Sequence, residues 1–195
     1  TVILTINPVN DSPSLPAQTN RTMDELTFLS VTNTAADVDV PANALSYQLI
    51  APPAGAVIGT NGVITWTPGE AQGPSTNSLV TVVSDGSVSV TNSFEVVVTE
   101  VNVVPVFVLT PTNRTIGELT LLTVTNNATD ADLPANTLSY QLIAPPGGMV
   151  IGANGVITWT PTEAQGPSTN TITTVVLDDG SPGLSRTNSF VVTVT

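Results

Sequence analysis

Residues 130–140 read DADLPANTLSY, and residues 37–47, which lie 93 positions earlier, read DVDVPANALSY. The same offset relates four further pairs of segments: NRTMDEL (20–26) and NRTIGEL (113–119), SYQLIAPP (46–53 and 139–146), NGVITWTP (61–68 and 154–161), and EAQGPSTN (70–77 and 163–170). A repeat of this length exceeds the roughly 20–50 residues of a solenoid unit and is long enough to build its own hydrophobic core. The sequence therefore predicts two tandem domains.

The apolar stretches are short, rich in Val, Thr and Ile, and interrupted by Pro, Gly, Asn and Asp. This composition is typical of β-strands. The clearest predicted strands are LSYQLIA (45–51), GVITWT (62–67), NSLVTVVS (77–84) and NSFEVVVTEV (92–101). No stretch has the apolar period of about 3.6 residues that marks a helix, and only TPGEAQG (67–73) suggests a helical turn. About seven short strands in each repeat predict an all-β fold of two antiparallel β-sandwiches in tandem.

The first residues form a partial third copy of the repeat. TVILTINPVNDSP (1–13) matches FEVVVTEVNVVP (94–105), where the first repeat ends. We therefore predict an extra strand and connector at 1–11, a first sandwich at 12–102 and a second at 103–195. A lone strand at 1–7 needs a sheet to join, either that of a preceding domain or that of another copy by β-augmentation. The chain does not begin with Met and has no signal-peptide pattern, so we expect a processed chain or an internal segment.

The composition excludes several classes of function. The chain has no Cys, His or Lys, only three arginines (Arg21, Arg114 and Arg186), and a formal net charge of −12. These absences exclude disulfides, thiol nucleophiles, Ser-His-Asp triads and the usual zinc ligands. An acidic surface also disfavours nucleic acid and anionic lipid. No apolar run of about 18 residues predicts a membrane span.

Two aspartates stand one residue apart in each repeat: Asp37 and Asp39 in the first, Asp130 and Asp132 in the second. In an extended strand, residues i and i+2 point to the same side, about 6.5–7 Å apart. A Ca²⁺ ion, which takes about 6–8 oxygen ligands, would relieve the repulsion between the two carboxylates. The alternative is local, because Asp is common in turns where it bonds nearby amides. The pairs alone leave both interpretations open.

Further acids recur in a fixed order. They are Glu25 and Glu118 after NRT, Glu70 and Glu163 after TWTP, Asp85 and Asp178 or Asp179 in a late turn, and Glu100 with Asn102 in the connector. With these elements the chain resembles the cadherin-like repeats, including the dystroglycan-type (putative Ig) repeats of large bacterial surface proteins. The resemblance covers both repeats, and the order of the short motifs is its specific part.

The resemblance implies Ca²⁺ between successive domains. At the internal junction the implied ligands are Glu25, Glu70, Glu100 and Asn102 from the first repeat and Asp130, Asp132, Asn136 and Asp178 or Asp179 from the second. Half-sites are implied at the two ends of the chain: Asn10, Asp11, Asp37, Asp39, Asn43 and Asp85 at the front, Glu118 and Glu163 at the back. Val103 and Val104 replace a connector acid of the family, so we expect fewer ions than usual at the junction, one or none.

The aromatic residues and the sequons each allow two interpretations. Trp66 and Trp159 are predicted to be core residues, although an exposed Trp could stack on a sugar; Tyr47, Tyr140, Phe94 and Phe190 are predicted to be core as well. Sequons begin at Asn10, Asn20, Asn113 and Asn127. The repeated NRT is either a glycosylation site or a strand start at which Arg21 pairs with Glu25 and Arg114 with Glu118.

Together these features predict a non-enzymatic, extracellular structural protein. We expect a subunit of a surface fibre that assembles head to tail with other copies, by donation of the N-terminal strand and with calcium-bridged joints. The alternative is an adhesin or a pair of carbohydrate-binding modules, for which glycans would be the partners. Glycosidase chemistry by paired carboxylates is disfavoured, because the acids are expected at domain ends and the same set occurs twice.

Overall fold

The structure is a computed structural model that describes residues 9–195 and divides into two compact units, one ending at Glu100 and one starting at Val101. The strand predicted at residues 1–7 lies outside the described residues. No helix in the described part of the chain has the length and apolar character that a membrane crossing requires.

The first unit is a sandwich of a four-stranded sheet, in the order β1-β7-β6-β3, and a three-stranded sheet, in the order β2-β5-β4. Only the β1–β7 pair is parallel. A 3₁₀ helix at Glu70–Gln72 precedes β6. The strands are β1 (Arg21–Asp24), β2 (Leu29–Thr32), β3 (Ser46–Ile50), β4 (Val57–Ile58), β5 (Val63–Trp66), β6 (Ser75–Ser84) and β7 (Ser89–Thr99).

The second unit repeats this plan, with sheets in the orders β12-β15-β16-β9 and β10-β14-β13. It adds a two-stranded sheet of β11 and β8, where the first unit has only the single bridge Ser14–Ala36. A second 3₁₀ helix covers Glu163–Gln165. The strands are β8 (Val106–Leu109), β9 (Arg114–Ile116), β10 (Leu122–Thr125), β11 (Asn127–Thr129), β12 (Ser139–Ile143), β13 (Val150–Ile151), β14 (Val156–Trp159), β15 (Ser168–Leu177) and β16 (Ser185–Val194).

Each unit has its own core, built from alternate residues of the long strands. In the later part of β6 (79–83) and of β7 (94–98) every second side chain is buried, because successive residues of a strand face opposite sides of the sheet. Each fully buried aliphatic side chain contributes about 1.5–3 kcal/mol. The first core contains Leu29, Val31, Ala56, Ile64, Trp66, Leu79, Phe94, Val96 and Val98, and the second contains Leu122, Val124, Met149, Ile157, Trp159, Ile172, Phe190, Val192 and Val194.

The two tryptophans are core residues, as the sequence predicts. Trp66 and Trp159 are each 1% exposed. Their indole N–H groups donate to the carbonyls of Ala54 (3.1 Å) and Gly147 (3.2 Å), so the one polar atom of each ring is satisfied. Neither ring has a free face for a sugar.

The two tyrosines differ from the prediction, since Tyr47 and Tyr140 are only half-buried. Each hydroxyl accepts a hydrogen bond from a backbone amide, that of Ala35 at 3.3 Å and that of Ala128 at 2.9 Å. A phenol needs such a polar partner, and therefore the ring lies at the margin of the core rather than inside it. The four strands predicted at 45–51, 62–67, 77–84 and 92–101, the helical turn and the all-β fold class are confirmed.

We expect Trp66→Ala to destabilise the first unit by about 3–5 kcal/mol, because it leaves a large cavity and removes the bond to Ala54. Urea unfolding is followed by two signals: Trp159 fluorescence reports the second unit, and circular dichroism reports both units, so together they separate the two. Trp159→Ala is the matched variant for the second unit. A loss below about 1 kcal/mol in either variant would show that the core does not depend on the indole.

Candidate functional site

Three glutamates meet at one end of the first sandwich. Glu25 follows β1, Glu70 begins the 3₁₀ helix and Glu100 follows β7. Each offers one carboxylate oxygen, and these oxygens all lie within 4.8 Å of one another. Within residues 9–195 this is the one group of three such side chains that is close enough to hold a metal ion.

Local structure explains why these glutamates meet. The parallel register of β1 and β7 pairs Asp24 with Thr99, and the amide of Glu25 donates to the carbonyl of Thr99 at 3.0 Å, so Glu25 and Glu100 leave neighbouring strands together. Gly73, just after the helix, packs against the Glu25 carboxylate so closely that a Cβ there would overlap it. The absence of a side chain at this position leaves room for the buried carboxylate.

The chemistry of this group suits a hard cation. Three carboxylates at such short distances repel one another, and Glu25 is only 2% exposed, so water screens its charge poorly. Carboxylate oxygens are the ligands that Ca²⁺ and Mg²⁺ prefer. The three side chains therefore fit the calcium that the sequence motifs imply, and the ion would neutralise charge that no lysine or histidine of this chain can balance.

In the second unit, Glu118 and Glu163, which correspond to Glu25 and Glu70, also lie together. The amide of Glu118 donates to the carbonyl of Thr195 at 3.1 Å, which matches the Glu25–Thr99 bond. Gly166 packs against the Glu118 carboxylate as Gly73 does against Glu25. Burial raises the pKa of Glu118 above its ordinary value of 4.5, and the charge of Glu163 and a hydrogen bond between the two carboxyls raise it further.

The paired aspartates lie at the other end of each sandwich and form a hydrogen-bonded network. In the second unit the amide of Asp132 donates to Asp130 Oδ1 at 3.1 Å, which is the local turn contact. The carboxylate of Asp132 accepts the amide of Val103 at 3.1 Å and the side-chain amide of Asn136 at 2.6 Å. Burial raises the pKa of Asp132; the Val103 bond opposes this rise, and the charges of Asp130 and Asp178 add to it.

Asn102 completes this network. Its side-chain amide donates to Asp178 Oδ1 at 3.1 Å and to the carbonyl of Pro182 at 2.7 Å, and its Oδ1 accepts from Asn136 at 2.6 Å. Burial of Asp178 would raise its pKa, but bonds from the Leu184 amide, Asn102 and the Gly180 amide outweigh that effect and lower the pKa. Asn102 is thus anchored by its side chain in the second unit.

The first unit contains the equivalent network. Asn10 donates to Asp85 Oδ2 at 3.0 Å, Asn43 donates to Asp39 at 2.7 Å and to Asn10 at 3.2 Å, and the amide of Asp39 donates to Asp37 at 2.9 Å. The amide of Asp11 donates to Asp39 Oδ1 at 3.1 Å, as that of Val103 does to Asp132. Bonds from the Val88 amide, Asn10 and the Ser87 amide lower the pKa of Asp85.

The connector takes part in each network through its backbone. The residue at the position of Asp11 and Val103 contributes its backbone amide, which any residue except proline supplies. Asp179 stands outside the network and accepts the amide of Thr137 at 2.7 Å. The Oδ2 atoms of Asp37, Asp130 and Asp178 are buried without a hydrogen-bond donor, so each network retains oxygens that a cation could use.

The repeated NRT has a structural role that the sequence did not indicate. Asn20 Oδ1 accepts the amide of Glu95 at 2.9 Å, and Asn113 Oδ1 accepts the amide of Val191 at 2.8 Å. Each asparagine thereby ties the start of a parallel edge strand to its neighbour, while remaining exposed. Arg21 donates to Gln18 at 3.4 Å and lies 5.9 Å from the centre of the Phe94 ring, and its expected pairing with Glu25 stays a prediction.

The expected pairing of Arg114 with Glu118 is not seen. No hydrogen bond or ion pair of the Arg114 guanidinium is found among the described residues, and the pKa of Glu118 is raised by burial and then by Glu163. The arginines of the NRT segments thus have different surroundings in the two units.

Residues 7–99 match a family model described as "Putative Ig domain". No curated protein matches.

Solved structures extend the likeness to both units. The chain is similar to Drosophila N-cadherin EC1-4, with 16% identity and a TM-score of 0.58 over 95% of this chain and 50% of that one. It is also similar to human protocadherin-24 EC1-2, with 18% identity and a TM-score of 0.55 over 96% of this chain and 99% of that one. Protocadherin gamma B2 domains 3–6 match with 19% identity and a TM-score of 0.56 over 97% of this chain and 54% of that one.

The chain spans about half the length of the N-cadherin and gamma B2 structures. At these identities the likeness shows the fold alone. The resemblance inferred from the sequence motifs is confirmed as a cadherin-like and Ig-like repeat.

We expect Glu163→Gln to weaken the pH dependence of the second unit in a calcium-free buffer. The raised pKa of Glu118 means that the native unit binds more protons than the unfolded chain at pH values just above 4.5, so stability rises as the pH falls from 7 through the folded pKa. The variant loses the charge of Glu163 and its hydrogen bond, and that rise becomes smaller. The measurement is urea unfolding between pH 4.5 and 7, followed by Trp159 fluorescence in a Trp66→Phe background.

Glu95→Gln, which removes an exposed acid from the first unit, is the control for net charge. An unchanged pH profile in Glu163→Gln would contradict the coupling of Glu118 to Glu163.

Proposed function

Since this chain is a tandem pair of cadherin-like, Ig-like repeats, we propose that it is a non-enzymatic structural segment of an extracellular fibre or stalk, stiffened by bound Ca²⁺. The observation that carries the proposal is the group of Glu25, Glu70 and Glu100, whose carboxylate oxygens lie within 4.8 Å of one another. A cation there would join the ends of two strands and a helix, and its binding energy would add to the stability of the fold.

The position of the group suggests what the ion does. Glu100 is the last residue of the first unit, and Asn102, two residues later, is hydrogen bonded within the second. A cation on Glu100 would fix the chain on one side of Val101, as the bonds of Asn102 fix it on the other. A connector held on both sides has little bending freedom, which is the property that a stalk requires.

The surroundings of the carboxylates argue against catalysis. A catalytic carboxylate must reach a substrate, whereas Glu25 is 2% exposed and Asp132 is 2% exposed with its oxygens bonded to Val103 and Asn136. The alternative function, a carbohydrate-binding module that stacks sugars on tryptophan, is disfavoured because Trp66 and Trp159 are buried.

We further propose that copies assemble head to tail by donating residues 1–7. The support is sequence similarity: Leu4 and Ile6 align with Val96 and Val98, which are buried on the inner face of β7. A segment with this alternation can add a strand to the sheet of another copy, and such a contact does not close on itself, so it generates a filament. Exposed apolar residues occur in both units, among them Val9, Val38 and Val40 in the first and Leu119 and Leu121 in the second.

We expect Ca²⁺ to stabilise the first unit and Glu70→Gln to remove most of that effect. At a calcium concentration of about 100 times Kd the expected gain is about 2.7 kcal/mol. Thermal unfolding with calcium and with EGTA, followed by Trp66 fluorescence in a Trp159→Phe background, measures it. Glu95→Gln removes the same charge from an exposed position and should keep the full calcium effect. An equal calcium effect in Glu70→Gln would sink the proposed site.

We expect sedimentation velocity of the intact chain to show large species that Leu4→Asp abolishes, because a charge on the inward face of the donated strand cannot be buried. Thr5→Asp is the matched control, since Thr5 aligns with the outward-facing Val97. Repeating the runs in EGTA separates strand donation from calcium-dependent association. A wild-type monomer in both buffers would eliminate the filament while leaving the calcium proposal intact.

A further inference from the structure

An open cleft lies on one flank of the second unit, between the edge strands of its two sheets. Strand β9 is the last strand of one sheet and β10 the first of the other, and the segment between β8 and β9 contributes Thr110, Pro111 and Thr112 to the lining. The cavity has a volume of about 370 Å³. Its lining residues are Leu109, Thr110, Pro111, Thr112, Arg114, Thr123, Val124 and Thr125.

Arg114 is the charged residue of this cleft. Its side chain is exposed, and within the described residues no acid or carbonyl accepts a hydrogen bond from its guanidinium. This is unusual in a chain with 15 acidic residues and only three arginines, where acids are the abundant partners. The guanidinium is therefore available to an oxyanion from outside the chain.

In the first unit, the residue that corresponds to Pro111 makes contacts that a proline cannot make. Gln18 occupies the place of Pro111, and its side chain donates to the carbonyl of Thr32 at 3.0 Å and accepts from Arg21 at 3.4 Å. Arg21 also lies over the Phe94 ring. A proline has no side-chain amide to make either contact, so Pro111 leaves both the edge of β10 and the guanidinium of Arg114 open.

We propose that this cleft binds a carboxylate flanked by hydroxyl groups, the chemistry of a uronic acid in an acidic polysaccharide. The planar guanidinium fork matches a carboxylate through two parallel hydrogen bonds. Four of the eight lining residues are threonines, whose hydroxyls both donate and accept and so complement sugar hydroxyls. A volume of about 370 Å³ falls within the roughly 300–1,000 Å³ of small-molecule sites.

The net charge of the protein adds a selectivity argument. At −12 the chain repels anions over most of its surface, so an anionic ligand that binds must do so at an unpaired cation. The site is independent of the proposed calcium role, since the glutamate group belongs to the first unit and the cleft to the second. It would give a structural fibre a point of attachment to an acidic glycan layer.

The test is a titration of the intact, isotope-labelled chain with glucuronate, followed by the NMR amide signals of Thr110, Thr112, Thr123 and Thr125. We expect saturable shifts at these signals, and much smaller ones with glucose, which lacks the carboxylate, or acetate, which lacks the hydroxyls. Arg114→Gln should weaken glucuronate binding at least ten-fold. Pro111→Gln, which installs the residue of the first unit, should weaken it as well.

Arg186→Gln is the control, because Arg186 is exposed at the start of β16, whereas Arg114 pairs with Val192 near its end. It changes the net charge equally and should bind glucuronate as the wild type does. Amide spectra of the free variants establish that each is folded. The proposal is overturned by an absence of saturable shifts, by equal binding in Arg114→Gln, or by acetate binding as tightly as glucuronate.

Discussion

The scarcity of positive charge is the constraint on which the rest of this structure depends. Fifteen acidic residues share the chain with three arginines and with no lysine or histidine, so buried carboxylates must be balanced by neutral N–H donors or by a cation from solution. Neutral N–H donors balance the carboxylates where the connector meets each sandwich, since Asp39 and Asp132 each accept a backbone amide and an asparagine side chain. At the end of β7, Glu25, Glu70 and Glu100 lie close together, and there we propose that a cation balances the charge. At the aspartate end of each sandwich, N–H donors thus satisfy some of the carboxylate oxygens, whereas at the other end carboxylates lie close together, an arrangement that a metal ion would stabilise.

Most of the fold could be predicted from the sequence because the sequence contains two copies of the same repeat. The 93-residue offset defined two domains, and the Val- and Thr-rich stretches placed β3, β5, β6 and β7 within a few residues of their positions. The parallel pairing of β1 with β7 was not predicted, because Arg21–Asp24 is too short to show an alternating pattern, and its register depends on contacts with a strand some 75 residues away, such as the bond from Glu95 to Asn20. Local patterns predict strands, whereas edge pairing is decided by such long-range contacts.

The candidate site was predictable in its residues but not in its bonding. Spacing and resemblance singled out the glutamates, the paired aspartates and the asparagines, and the structure brings Glu25, Glu70 and Glu100 together. The replacement of a connector acid by Val103 and Val104 predicts fewer ions at the junction, and this stays a prediction; what the sequence could not show is that the backbone amide of Val103 bonds Asp132. The same limit applies to Asn113, whose side chain accepts a hydrogen bond from the backbone amide of Val191 in β16. The cleft of the second unit was also not predicted from the sequence. The effect of Pro111 becomes clear only when it is compared with Gln18, the corresponding residue of the first unit, and with the contacts that Gln18 makes.

The two copies, set side by side, separate what folding requires from what it does not. The shared Asp-x-Asp, Asn-Arg-Thr and Trp positions each make a hydrogen bond that stabilises the sandwich, so their repetition follows from the fold. The shared glutamates are different. In the second unit the raised pKa of Glu118 beside Glu163 means that the ionised pair opposes folding at neutral pH, and the first unit has Glu25 and Glu70 at the same positions. Glutamine at either position of the second unit would relieve the repulsion and keep the size of the side chain. A pair that opposes folding, at positions where both units have glutamate, favours a role outside folding, and binding a cation that turns the repulsion into attraction is the simplest role that the chemistry of these side chains allows.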